Sequence, residues 1–224
     1  VIAITTSTPN FCANLKSIVV MQIVISSATD RYDLAHLYLE SHKATLRHYK
    51  VTGISTLSSS WKYNPNAHMI IALCPDTSEM LGAVRLEISG GSQTIPMAQA
   101  LRSIGYNISN LVSRLADNGG VAELCGLWCR PDNTVKGLPK KLIAKALEYA
   151  KKIKISHIIG FANEYSFPTV ESLGFTHANH LENQGTFYYP TKKYKTYVVH
   201  YSDQKNKQVL LNINTASDLV PLNN

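Results

Sequence analysis

The most regular pattern of apolar and polar residues lies between residues 121 and 175. The apolar run Val121–Cys129 predicts a strand, and a polar turn and a helical stretch rich in Leu, Ala and Lys follow it. A second apolar run at 157–162 and a short amphipathic segment ending at 173–175 come next. This order predicts a right-handed parallel crossover unit, whose loop opens onto a helix N-terminus where backbone N–H groups favour an anion.

The residues before this unit predict an extension, a strand, a helix and a hairpin. Residues 1–20 show no periodicity and are interpreted as a flexible N-terminal extension, with a weak secretion signal as the alternative. A strand at 22–26 is followed by a helix that runs to about Tyr49. Two strands at 68–74 and Met80–Ile88 then form a hairpin. The inward face of the helix is predicted to carry Leu34, Leu37, Tyr38, Ser41, Ala44 and Leu46.

An insertion separates the third predicted strand from the strand at Val121–Cys129. It contains a Gly-rich turn at 90–92 and one helical pattern from about Ala98 to Leu115. After residue 175, segments at 186–189 and 194–201 alternate as a closing hairpin, whose tyrosines either pack or line a pocket. Residues 202–224 are interpreted as a tail with an added strand at 209–213, so the predicted domain is 21–201.

Charge and composition restrict the partners. The 224-residue chain has a formal net charge of +7, which favours anionic partners, although a lysine surplus also serves solubility alone. The charge is not accompanied by a pattern of aromatic and basic residues, so nucleic acid is not an expected partner. No apolar run is long enough to predict a membrane span.

Cysteine and histidine positions do not predict a metal site. The four cysteines lack paired metal-binding spacing, and buried thiols in a reducing compartment, the cytoplasm, are the simplest interpretation. His36, His42 and His48 lie six residues apart, so they do not share one helix face and are interpreted as surface histidines.

Glu123 is the best candidate for acid–base chemistry, because it is a lone carboxylate on an apolar strand. Simple alternation places Glu123, Cys125, Leu127 and Cys129 on one face of that strand. Partial burial raises the pKa of a carboxyl group toward the range that is useful to a base. The alternative is a structural carboxylate that accepts local N–H groups or pairs with Arg85. Arg85 and Glu87 share one sheet face, and cross-strand charge pairing on a solvated face is expected for them.

Residues 121–175 resemble the acyl-thioester-binding core of the GNAT superfamily of N-acyltransferases. Of the three defining positions of that family's phosphate loop, only Gly137 is kept; the other two are Thr134 and Pro139. The surrounding sequence resembles the family through Arg130-Pro131-Asp132, Leu142-Ile143, Asn163 and Leu173-Gly174-Phe175. The resemblance implies an α+β fold with a mixed central sheet, helices on both faces and a helical insertion between strands 3 and 4.

The resemblance also implies a function and a set of donor-binding residues. An acyl group, acetyl or longer, would move from an acyl-CoA or acyl-carrier-protein thioester to a small-molecule amine. The loop and helix start would hold the donor's phosphates through Thr134, Val135, Lys136, Gly137, Leu138, Lys140 and Lys141. The pantetheine arm would lie against Leu127, Trp128, Cys129 and Asn163.

Two catalytic roles follow from the same resemblance. Glu123 stands six residues before Cys129, the spacing at which many GNAT enzymes place the glutamate that deprotonates the amine. The position where a tyrosine often protonates the leaving thiolate is Val170, so Tyr165 is the substitute candidate. Val170, Thr134 and Pro139 also favour an alternative, a non-catalytic module that only binds acyl thioesters.

The insertion resembles a branch of the family, the acyl-homoserine-lactone and N-acyl amino acid synthases. The matching pairs are Arg85-Leu86, Pro96-Met97 and Glu123-Leu124, whereas Gly126 stands where those synthases have an arginine. This resemblance implies that the inserted helix borders the acyl pocket and widens it for a longer chain.

Overall fold

The computed structural model describes residues 21–90, 94–133, 135–202 and 220–222. The strands are β1 Gln22–Ser27, β2 Ala67–Leu73, β3 Met80–Ile88, β4 Tyr106–Asn107, β5 Val121–Cys129, β6 His157–Asn163, β7 Thr176–His177, β8 Thr186–Tyr188, β9 Lys195–Ser202 and β10 Val220–Pro221. The helices are α1 Tyr32–His48, α2 Pro96–Ser103, α3 Ser109–Asp117, α4 Leu138–Lys152 and α5 Phe167–Glu171.

One mixed sheet organises the described residues. Its strand order is β1-β2-β3-β5-β6-β9-β7, and β8 pairs with β9. Strands β5 and β6 are parallel and joined through α4, whereas the other neighbours are antiparallel. This confirms the predicted mixed sheet and the crossover unit at its centre.

Helices pack on both faces of the sheet, as predicted. On one face α4 buries Leu142, Ile143 and Ala146 against apolar residues of β2, β3, β5 and β6. On the other face α1 packs with Trp61 and Trp128, and the insertion packs beside it through Met97 and other apolar residues. The two apolar layers fix the central strands between them and thereby position the ends of β5 and β6.

The helical insertion lies between β3 and β5, as predicted, but the prediction of one helix across it is wrong. The chain forms α2 and α3 with the short strand β4 between them. Gly105 has a φ of +88°, which ends the first helix because a residue with a side chain rarely adopts that conformation. The Asn107 side chain then accepts the Ser109 N–H at 2.9 Å and starts α3, while β4 pairs with β10.

The predicted alternation along β5 is also wrong, because a β-bulge interrupts it. Gly126 has a φ of +61°, and the β3–β5 register shifts at this point. Before the bulge, Leu124 faces the α4 core; after it, Leu127 and Cys129 contact that same core. Glu123 and Cys125 therefore do not share a face with Leu127 and Cys129, since the extra residue reverses the alternation.

Several predictions lie outside the described residues. These are the N-terminal extension 1–20, residues 91 and 92 of the predicted Gly-rich turn, the strand at 209–213 and Thr134. The predicted end of the domain at 201 falls inside β9, which runs to Ser202.

In the part of the chain that the structure describes, no helix has the length and apolar character that a membrane crossing requires.

Candidate active site

The two parallel strands separate at their carboxyl ends. Pairing between β5 and β6 stops at Leu124 and Gly160. Each strand continues on its other side, because β5 pairs with β3 as far as Cys129 and β6 pairs with β9 as far as Asn163. A gap therefore opens between residues 125–129 and 161–163, and its edges carry main-chain groups that do not pair with each other.

A cavity of about 280 Å³ lies at this gap. Residues of β5 and β6, the α1 helix, the segment 51–56, the α4 and α5 helices and the closing hairpin all contribute to its wall. Representative lining residues are Glu123, Leu127, Ile143, Asn163, Val170 and Tyr189. The cavity is at the small end of the range for ligand sites, and its wall is largely apolar with a few polar groups.

Glu123 is buried at the wall of this cavity, with 2% of its surface exposed. Its carboxylate Oε2 accepts the backbone N–H of Met97, at the start of α2, at 2.7 Å. Burial raises the pKa of Glu123 to about 8, and the Met97 hydrogen bond partly offsets that rise. A carboxyl group in this range can gain and lose a proton near neutral pH, which suits a general base.

Arg85 and Glu87 form a buried ion pair, so the prediction of a solvated sheet face is wrong. Arg85 is 0% exposed, and its Nε donates to Glu87 Oε1 at 2.6 Å. The guanidinium also stacks over Trp61, and the Cys125 thiol donates weakly to the same Glu87 oxygen. Glu123 thus has Met97 as its partner, and Arg85 is paired with Glu87.

His42 is buried, so its interpretation as a surface residue is wrong. The buried positions of α1 are Ala35, Tyr38, Leu39, His42 and Thr45. The predicted stripe included Leu37, which is exposed. The spacing of the apolar Ala35, Tyr38 and Leu39 indicates a face that also contains His42, a signal that a search for histidine pairs does not use.

The predicted phosphate loop leads directly into α4. Gly137 caps the helix with a φ of +68°, and Leu138 is buried in the core beneath it. Among the described residues, no acceptor contacts the amides of Lys136, Gly137 and Lys140. The Val135 amide, in contrast, already donates to Asn133 Oδ1 at 3.1 Å.

The lysines of this loop face solvent around the open amides. Lys136, Lys140 and Lys141 are all exposed. Cations at a helix N-terminus oppose the helix dipole, and an anion placed among them removes that conflict. The geometry therefore suits a phosphate group.

The structure brings Glu123, Leu127 and Asn163 together at the cavity but not all the predicted residues. Trp128 packs on the α1 side beside Tyr38, and Cys129 lies next to Gly82. Tyr165 is 77% exposed and is not among the described residues that line the cavity, whereas Val170 is. The prediction missed the roles of His42 and Thr56 in the cavity wall and the burial of the Arg85–Glu87 ion pair.

Comparison with known proteins agrees with this architecture. Residues 31–175 match the acetyltransferase (GNAT) family. The chain therefore belongs to the GNAT family of acyltransferases. No curated protein matches it.

Solved structures with the same fold include enzymes of the synthase branch. FeeM, an N-acyl amino acid synthase from uncultured soil microbes, is 15% identical with a TM-score of 0.60, covering 81% of this chain and 90% of its own. BjaI, a CoA-dependent acyl-homoserine lactone synthase solved with SAM and isopentyl-CoA, is 14% identical with a TM-score of 0.51, covering 87% and 89%. MesI, another CoA-dependent acyl-homoserine lactone synthase, is 11% identical with a TM-score of 0.52, covering 86% and 95%. At these identities the likeness concerns the fold.

Proposed function

We propose that this protein transfers an acyl group from an acyl-CoA thioester to the amine of a small molecule. The observation that carries the proposal is the gap between β5 and β6. A cavity lies at this gap, and Glu123 forms part of its wall. Unpaired main-chain groups at the edges of such a gap can bond the amide groups of an extended pantetheine arm.

The donor's charged end is assigned to the start of α4. The amides of Lys136, Gly137 and Lys140 have no acceptor among the described residues, and the side chains of Lys136, Lys140 and Lys141 are exposed beside them. A diphosphate placed there would satisfy these N–H groups and gain from the helix dipole. Phosphopantetheine on an acyl carrier protein would offer one phosphate to the same loop, so it is the alternative donor.

In the transfer step, the neutral amine attacks the thioester carbonyl and a C–N bond forms. Glu123 accepts the proton that the amine loses, directly or through water, and then releases it to solvent. The C–S bond breaks and the thiolate leaves. Tyr165 was the candidate acid for this thiolate, but its exposed position favours departure without a side-chain acid, which a thiol pKa of about 8.5 permits.

Thioester turnover with a panel of amines tests this proposal. Release of coenzyme A that requires both an acyl-CoA and an amine, together with a detected amide product, is the expected result. A protein that binds acyl-CoA tightly but forms no amide with any amine would instead be the non-catalytic binding module. Comparison of acyl-CoA with the acyl carrier protein thioester of the same acyl group identifies the donor.

The synthase branch is a second candidate function, and the insertion favours it. The amide of Met97, at the start of α2, holds Glu123, so the inserted helix is part of the site. Together with the fold likeness to FeeM and BjaI, this arrangement favours an acyl group longer than acetyl. A preference for acetyl-CoA over octanoyl-CoA and longer donors would exclude this branch.

A further inference from the structure

A segment at 220–222 returns to the insertion and pairs with its short strand. β10 and β4 are antiparallel, and Pro221 lies opposite Tyr106. The Leu222 amide then donates to the Gly105 carbonyl at 2.7 Å. All three residues of the segment are exposed, so the segment buries little apolar surface and depends on main-chain hydrogen bonds. The transfer step gives this pairing no role.

The carbonyl that the segment binds lies where α2 ends. The amide of Gly105 donates to the Arg102 carbonyl, in the last turn of α2, at 3.1 Å. The 220–222 segment is thus attached to the carboxyl end of this helix. In the described part of the chain, β10 is the one strand with which β4 pairs.

A second set of contacts holds β4 through a side chain. The Tyr106 ring lies against Phe187 of β8, with ring centroids 5.0 Å apart. The side-chain amide of Asn183 donates to the Tyr106 hydroxyl. The short strand is therefore fixed by its main chain to the 220–222 segment and by its side chain to the closing hairpin.

The two ends of α2 are mechanically linked, because the helix has only eight residues, about two turns. Met97, in its first turn, donates to Glu123 Oε2 at 2.7 Å, and Leu101, one turn further on, is buried in the apolar layer. A helix this short is marginal by itself and depends on tertiary contacts along its length. The contact at its carboxyl end therefore contributes to the position of the Met97 N–H.

We propose that the 220–222 segment positions the base: by fixing the carboxyl end of α2, it keeps the Met97 N–H on the Glu123 carboxylate. This inference rests on the proposed function, in which Glu123 accepts the proton of the amine. The described wall of the cavity contains none of the three residues, so they are positioning residues and do not contact the substrate.

Two variants at one position test this role. Leu222→Pro removes the N–H that bonds Gly105, whereas Leu222→Ala loses most of the side chain but keeps the amide. Amide hydrogen exchange, followed by NMR, should be roughly 2- to 10-fold faster at Met97 and Leu101 in Leu222→Pro, the change in a local opening equilibrium when one hydrogen bond is lost. Leu222→Ala should exchange like the wild type. Exchange at Ile143 of α4, on the other face of the sheet, should be the same in all three proteins.

The titration of Glu123 is a second readout, which a purely structural role of the segment would not change. Burial is the main cause that raises the pKa of Glu123; the Met97 N–H lowers it, Glu87 raises it and Arg85 lowers it. A weaker Met97 hydrogen bond therefore raises this pKa, because the bond favours the ionised form. NMR of the carboxyl carbon, assigned with Glu123→Gln, should show a higher midpoint in Leu222→Pro than in the wild type and Leu222→Ala. The pH profile of kcat/KM should move in the same direction.

Three results would overturn the proposal while acyl transfer stands. Unchanged exchange at Met97 in Leu222→Pro would show that the segment does not hold α2. Equal acceleration at Ile143 would show a general loss of stability instead of a local one. Faster exchange at Met97 without a change in the Glu123 titration would show that the segment holds the helix but not the base. Exchange and carboxyl NMR need no substrate, so they decide on the segment even if no amine is acylated, a result that would contradict the proposed function instead.

Discussion

The backbone N–H of Met97 donates to the Glu123 carboxylate at 2.7 Å, so the inserted helix holds the side chain that we assign as the base. The contact joins residues from two separate elements, α2 and β5, that are 26 positions apart in the chain. It fixes one carboxylate oxygen and leaves the other to take the proton of an incoming amine. In the proposed mechanism, the insertion therefore helps to hold the base.

Replacement of Glu123 by Gln is expected to lower kcat by about 100-fold or more, the usual contribution of a general base. The Gln side-chain oxygen can still accept the Met97 N–H, so the local structure should be retained. Steady-state kinetics with acyl-CoA and the best amine measures the effect. Asp76→Asn, in the exposed turn after β2, is the matched control and should leave kcat unchanged. An unchanged kcat in Glu123→Gln would contradict the assignment.

The pH dependence of kcat/KM should report the titration of Glu123. Because burial raises its pKa to about 8, the ionised base is the minor form below that pH, and activity should rise with pH and level off above it. An acceptor amine that is weakly basic, and so is neutral throughout, separates this titration from that of the substrate. A profile that is flat from pH 6 to 9 would exclude Glu123 as the titrating base.

Met97→Pro removes the N–H that lowers the pKa of Glu123, so the pH profile should move to higher pH. Met97 lies in the first turn of α2, where the loss of an N–H breaks no hydrogen bond within the helix. Met97→Ala keeps the amide and, like the proline variant, loses most of the Met side chain, and it should leave the profile in place. Equal profiles for the two variants would show that the hydrogen bond does not tune the base.

Arg85→Met should lower the free energy of unfolding by about 3–5 kcal/mol, because it leaves the Glu87 carboxylate buried without its partner. Arg31→Met breaks an exposed ion pair with Asp33, which solvent screens, and should change that free energy far less than Arg85→Met does. Urea unfolding of the two variants and the wild type measures the difference. Similar small effects for both would mean that Glu87 is hydrated after all.

The histidine pair His157–His200 should make the fold sensitive to acid. Burial, with His157 and His180 nearby, lowers the pKa of His200 to about 3, below its ordinary value of about 6.5. A histidine whose folded pKa is lowered contributes stability above the unfolded pKa and loses it as pH falls toward the folded one. Stability should therefore fall between about pH 6.5 and 3.

His200→Gln does not titrate and should reduce this acid sensitivity, while His36→Gln, at an exposed site, should not. Thermal unfolding across that pH range gives the comparison. The same pH dependence in all three proteins would assign the acid sensitivity to other groups.

The sequence predicted the fold and the strand that carries Glu123, because apolar runs and their order depend on local patterns. The course of β5 after Gly126 was not predictable from alternation, since the bulge exists only in the pairing with β3. The burial of His42 and of the Arg85–Glu87 pair was missed for a related reason. Polar side chains are buried when partners from distant segments surround them, and single-sequence periodicity does not contain that information.

A crystal structure of the protein with a non-transferable acyl-CoA analogue tests the central claim most directly. The account predicts the diphosphate against the amides of Lys136, Gly137 and Lys140, the pantetheine arm between β5 and β6, and the acyl carbonyl near Glu123. A ligand bound at another surface, or a β5–β6 gap that stays closed to the bound analogue, would contradict it.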